Sequence, residues 1–149
     1  MAAVRVIDHG LDQLLRQADA LNGSGVKVGI QAGADSQDGV DMVDIAVFNE
    51  LGTADIPARP FVRNAAEKNR QDIATVMDHL ARKVEDGAAD ADAALETLGQ
   101  WYQGRQQAHI RSGEFVPNAP STIKKKGSSV PLIDKGKLVN AVRYEVLKK

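Results

Sequence analysis

The chain has 149 residues, 43% hydrophobic and 26% charged, with 19 Lys and Arg against 20 Asp and Glu and no cysteine. One domain over residues 1–149 accounts for that length, and mass scaling predicts ~7,400 Å² exposed after folding, enough burial for a core without staples. The composition excludes disulfides, thiol nucleophiles and Cys-ligated metals, argues against disorder, and offers no apolar run near the ~18 residues of a membrane span.

In chain order, Val4–Ile7 reads as a short strand, with Asp8 as the cap of a helix. Ile7, Leu11, Leu14, Leu15, Ala18 and Leu21 recur at helical spacing until Asn22-Gly23. Val26, Val28 and Ile30 alternate with Lys27, Gly29 and Gln31, the pattern of a half-buried strand. Gly33 to Asp41 is polar and reads as a loop. Met42 to Leu51 is apolar nearly all round and reads as a short buried helix closed by Gly52.

Pro57 and Pro60 bracket an extended turn, and Pro60 opens a long helix whose stripe is Ile73, Val76, Met77, Leu80 and Val84. Gly87 ends it. Asp90 to Arg111 forms a second long helix with Leu95, Leu98 and Tyr102 on one face. Gly99 and Gly104 inside it each cost roughly 1 kcal/mol relative to Ala, so they signal close packing or a bend. Residues 112–133, with Pro117, Pro120 and Pro131, read as an extended arm in which Ser121 caps at most one helical turn. Ala141 to Leu147 alternates again and pairs with Val26–Ile30. The fold class is α+β: a small antiparallel sheet packed against long helices, with a long extended arm before the C-terminal strand.

The near-zero net charge hides a pattern. Asp35, Asp38, Asp41, Asp44, Glu50 and Asp55 fall in a stretch, Val28 to Ala58, without Lys or Arg. Glu85, Asp86, Asp90, Asp92 and Glu96 form a second acidic block. Eight bases (Lys124, Lys125, Lys126, Lys135, Lys137, Arg143, Lys148, Lys149) then face only Asp134 and Glu145. Such asymmetry suits a basic tail for nucleic acid or membrane, two complementary faces for self-association, or simply solvated surface.

Motifs for chemistry are thin. His9, His79 and His109 fall on three separate helices, outside any His-Glu-x-x-His pattern. From Asp35 the calcium-loop register fails, because position twelve is Ala46 rather than Glu. Gly23, Gly25 and Gly29 precede a strand and lack the Lys-Ser/Thr of a phosphate loop. Lys124–Lys126 has no interleaved aromatic residue to stack on bases. No catalytic residue, cofactor or metal site is assigned. One oddity is Glu50, an anion in the last turn of its helix, where the dipole disfavours it. The expectation is a pairing with Arg59 or Arg63 that fixes the Asn49–Arg63 corner.

These residues resemble a known family. Phe48-Asn49-Glu50-Leu51-Gly52-Thr53 followed by Ile56-Pro57-Ala58-Arg59-Pro60-Phe61-Val62-Arg63 is similar to the Asn-Glu-aromatic-Gly-Thr…Ile-Pro-x-Arg-Pro-Phe-aliphatic-Arg signature of tailed-phage and prophage morphogenesis proteins of the neck and tail-completion group. Pro131-Leu132-Ile133-Asp134-Lys135-Gly136-Lys137-Leu138 resembles the family's Pro-Leu-Ile-Asp-Thr-Gly-x-Leu, with Lys135 for the Thr; Leu51 likewise replaces the usual aromatic. The resemblance runs from about Val26 to Val146.

It implies a non-enzymatic structural subunit that joins or completes the virion, often in a ring, assembled in the host cytoplasm with other phage structural proteins (neck, connector or tail tube). On this reading Asn49, Glu50, Gly52, Arg59, Pro60, Phe61 and Arg63 form a structural corner. Phe115, Lys124, Lys125, Lys126, Asp134 and Gly136 are the expected assembly contacts. The alternative is a small nucleic-acid-binding module using the basic C-terminal segment.

Overall fold

The computed structural model describes residues 10–33 and 35–149; the expected strand Val4–Ile7, its Asp8 cap and His9 lie outside the described residues. The elements are α1 (Leu11–Leu21), β1 (Gly25–Ile30), β2 (Ser36–Gln37), β3 (Val40–Asp41), α2 (Met42–Leu51), α3 (Phe61–Lys68), α4 (Arg70–Glu85), α5 (Ala91–Arg111), α6 (Pro120–Lys126), α7 (Lys137–Ala141) and β4 (Val142–Leu147). This is the expected α+β class, and β1 pairs antiparallel with β4 in the register Val28↔Tyr144.

The sheet lies on α5, and one glycine makes that possible. A Cβ at Gly99 would sit 2.4 Å from Tyr144 Cδ2 and 3.0 Å from Val26 Cγ1. The close-packing expectation holds there. A Cβ on Gly104 would meet nothing within 4 Å. Two apolar clusters form, one towards each end of the helix. The larger gathers Met42, Phe61, Ile110, Leu132, Leu138, Val139 and Val142, while Leu80, Val84 and Ala94 form the smaller with Leu21, Val76 and Leu98 packed on it.

Four local expectations change. The helix opened by Pro60 breaks in two at Asn69, whose Nδ2 donates to Ala65 O at 2.8 Å, a carbonyl that also accepts from Asn69 N at 3.1 Å. The loop after Gly33 contains the β2–β3 hairpin, because Asp38 (φ 52) and Gly39 (φ 81) form its two-residue turn. In α2 only Met42 and Ala46 are buried, so the helix is apolar all round yet covered on one side. Residues 112–133 carry α6, two turns rather than one; Ala119 rather than Ser121 holds its cap position, and Pro120 fills the first turn. That segment also lies on the body of the protein, with Asn118 and Leu132 buried.

Candidate functional site

The corner begins with a well-formed helix. Asp41 caps α2 by accepting from Val43 N at 2.8 Å, and Gly52 (φ 78) closes it. Only glycine fits there: a Cβ would lie 2.9 Å from Ala58 N and 3.0 Å from Ile56 O. The chain folds back through Thr53, whose N–H donates to Ile56 O and whose Oγ1 accepts from Ile56 N at 3.1 Å. Arg59 N then reaches Asn49 O at 2.6 Å. Pro60 (φ −72) leads into α3, and Phe61 is fully buried in the main core.

Arg59 is the hub. It is only 7% exposed. Its Nε donates to Val116 O (2.8 Å), Nη1 to Asn49 Oδ1 (3.4 Å), and Nη2 to Pro117 O (3.2 Å) and Asn118 Oδ1 (3.3 Å). Burial holds the guanidinium below its ordinary pKa, and every acceptor on it is a neutral oxygen. Asn49 and Asn118 are themselves tied back, to Ile45 O and Val130 O. One side chain thus clamps the end of α2 to residues 116–118, which connect to Val130. Only a planar, forked cation serves this many carbonyls at once.

Glu50 does something other than expected. Its carboxylate accepts from Val62 N (2.8 Å) and Arg63 N (3.1 Å), backbone donors in the first turn of α3. The expected pairing with an arginine side chain is therefore corrected. Pro60 has no side-chain cap to offer, and an anion at a helix N-terminus satisfies orphan N–H groups and the dipole together. The Arg63 guanidinium has no ion pair or hydrogen bond among the described residues. Spacing gave no sign of this cap, because the carboxylate comes from twelve residues upstream.

The expected assembly residues scatter. Phe115 is half-buried and meets His109 edge-on, with ring centroids 5.0 Å apart. Lys124 and Lys125 lie exposed on α6. Lys126 is half-buried beside a cavity of about 410 Å³ that Arg59, Asn118 and Asp134 also line; burial pulls its pKa down, Asp134 opposes this, and Arg59 adds to it. Asp134 accepts from Gln37 Nε2 at 2.6 Å, which ties the β2–β3 hairpin to the segment before α7. Gly136 (φ 70) turns the chain into α7.

The opposed charge blocks are partly spent inside the chain. Lys137 pairs with Asp35, Lys148 with Asp92 and Lys149 with Asp19, at 3.1, 2.6 and 3.7 Å. Arg143 donates to the carbonyls of Asn140 and Val142. Four of the eight C-terminal bases are therefore engaged, leaving Lys124, Lys125, Lys126 and Lys135. Around the corner, large apolar side chains stay open: Val47, Phe48 and Leu51 on α2 and Val62 on α3, with Leu51 64% exposed. No helix among the described residues is long and apolar enough to cross a membrane. Compared with family models, curated proteins and solved structures, the chain matches none.

Proposed function

We propose that this chain is a structural subunit of a tailed phage or prophage that completes or joins the virion at the neck or tail, acting through protein–protein contacts in a ring of copies. Its partners are other phage structural proteins, it needs no cofactor, and it passes from the host cytoplasm into the virion. The observation that carries the reading is how the signature residues are used. Asn49, Glu50, Gly52, Arg59, Pro60 and Phe61 are engaged in caps, turns, hydrogen bonds and core, and the rigid corner they build presents Val47, Phe48, Leu51 and Val62 to solvent. Apolar side chains gathered on a fixed framework suit coverage by a neighbour. A ring requires two unlike patches, and the amphipathic α1, with Leu11, Leu14 and Leu15 exposed, is a second apolar face.

The test is deletion of the gene from the phage or prophage, followed by electron microscopy of the particles released. Separate heads and tails, or tails of abnormal ends, are expected. Intact infectious virions in normal yield would end the proposal.

The nucleic-acid reading draws on Lys124 and Lys125, which are exposed and unpaired among the described residues. With four bases of the segment free, log K against log salt for duplex DNA should be no steeper than about −4. A steeper slope that disappears in the Lys124→Ala, Lys125→Ala, Lys126→Ala variant would favour that reading over assembly.

A further inference from the structure

We propose that the cavity of about 410 Å³ at the corner is a binding site for a small monocarboxylate, its carboxylate held by Lys126 and Arg59 and its apolar body by Ile45, Ile56, Leu132 and Leu138. The inference goes beyond the phage reading and does not depend on it.

Four pieces of chain meet at this cavity: the β2–β3 hairpin, the turn from α2 to α3, α6 with the residues leading into it, and the segment before α7. Two cations line it, and neither has an ion pair among the described residues. Arg59 meets only neutral oxygens, which occupy four of its five N–H groups and leave one on Nη1. Lys126 is half-buried, yet it makes no hydrogen bond among the described residues. Its ammonium has given up water without a direct partner in exchange, a state that costs free energy until an acceptor arrives. Asp134 attracts it without pairing, and Arg59 repels it. An oxyanion between the two cations would relieve both the lost hydration and the repulsion. At an effective dielectric of ~20 that attraction is about four times its strength in bulk water.

Three carboxylates also line the cavity, yet they do not make it a cation site. Asp38 and Asp55 are exposed and keep their hydration. Asp134 already accepts from Gln37 Nε2 at 2.6 Å. The charge left unmet is therefore on the buried side, and it is positive. Around it the wall is apolar. Leu132 and Leu138 are buried there, and Leu132 is held at φ 62, an outlier for a bulky residue of the kind that gathers at ligand sites. A few polar groups converging in an apolar cavity of roughly 300–1,000 Å³ is the usual form of a small-molecule site. A cavity of ~150 Å³ holds one benzene, so this one admits a six-carbon body together with its carboxylate. Bare phosphate would leave the apolar wall unused. A carboxylate on a short apolar chain uses both parts.

The test is a titration of the whole protein, followed by amide NMR spectra, with sodium hexanoate, acetate and phosphate and with hexylammonium chloride at equal ionic strength. Hexanoate should bind at least about tenfold more tightly than acetate or phosphate, because its extra methylenes are buried. In the unaltered protein it should move the signals of Asn118, Lys126 and Leu132. Lys126→Met keeps the stem and removes the charge; it should weaken hexanoate at least about tenfold, while Lys126→Arg retains most of the binding. The unaltered protein's spectra decide the matter even where Lys126→Met fails to fold. No saturable binding of hexanoate, or shifts confined to the exposed Phe48 and Leu51, would overturn the proposal. So would equal binding by a folded Lys126→Met. Tighter binding of hexylammonium than of hexanoate would give the cavity to a cation through Asp38 and Asp55, and the assignment would be lost.

Discussion

Arg59→Ala removes the donor shared by the Val116 and Pro117 carbonyls and the buried Asn118 amide, and should cost about 1–3 kcal/mol in urea denaturation. Arg59→Lys should recover less than half, because a point charge cannot serve a forked set of acceptors. Glu50→Gln keeps an acceptor but removes the anion from the start of α3, for a loss of about 0.5–1 kcal/mol. Because Glu50 meets the backbone of Arg63 and not its guanidinium, Glu50→Gln and Arg63→Ala should add to within about 0.5 kcal/mol in a double-mutant cycle. His109, 8% exposed with Nε2 unpartnered among the described residues, has its pKa lowered by burial first and Lys68 second, against Glu114. A depressed folded pKa means the stability it contributes is complete above the unfolded value near 6.5 and declines as pH falls below it. Stability measured from pH 7.5 to 5 should show that limb, and His109→Gln should flatten it.

Elements differ in how much of them the residues announce. β1, α2, α5 and β4 form where alternation, apolar runs and Asp caps place them, because each depends on neighbours within one or two turns. The β2–β3 hairpin was legible in Asp38-Gly39, a turn signal that needs no tertiary support. The break at Asn69 was less so, since one side chain decides between helix and cap. Gly99 and Gly104 looked equivalent on α5, and only packing separates them. Gly99→Ala gains up to ~1 kcal/mol in helix propensity but drives a methyl into a Tyr144 ring whose hydroxyl is held by Glu96 at 2.7 Å. Overpacking of that kind costs ~1–3 kcal/mol, so the net change should be destabilising. Gly104→Ala has open space and should raise the thermal midpoint by the equivalent of about 0.5–1 kcal/mol.

At the scale of the whole molecule, apolar side chains stay open on three described helices, Leu11, Leu14 and Leu15 on α1, Val47, Phe48 and Leu51 on α2 and Val62 on α3, faces of the kind that a neighbour can cover. The charge blocks contribute less to that than their totals suggest, because α5 and the C-terminus neutralise each other at Asp92–Lys148 and Asp19–Lys149 draws in α1. These pairs are exposed and screened by salt, so raising NaCl from 0.05 to 0.5 M should shift the urea midpoint only slightly.

By itself the sequence determined the α+β class and most helix and strand positions, because periodicity, caps and turns act over a few residues, and the two alternating runs it marks at Val26–Ile30 and Ala141–Leu147 are the ones that pair. Only the tertiary structure decided that Glu50 caps α3, that Arg59 clamps residues 116–118, that Lys137, Lys148 and Lys149 pair with distant carboxylates, and that among the described residues Val26, Val28 and Ile30 lack a further strand partner. Each of these joins groups at least ten residues apart or depends on what covers a surface, and no local pattern encodes either.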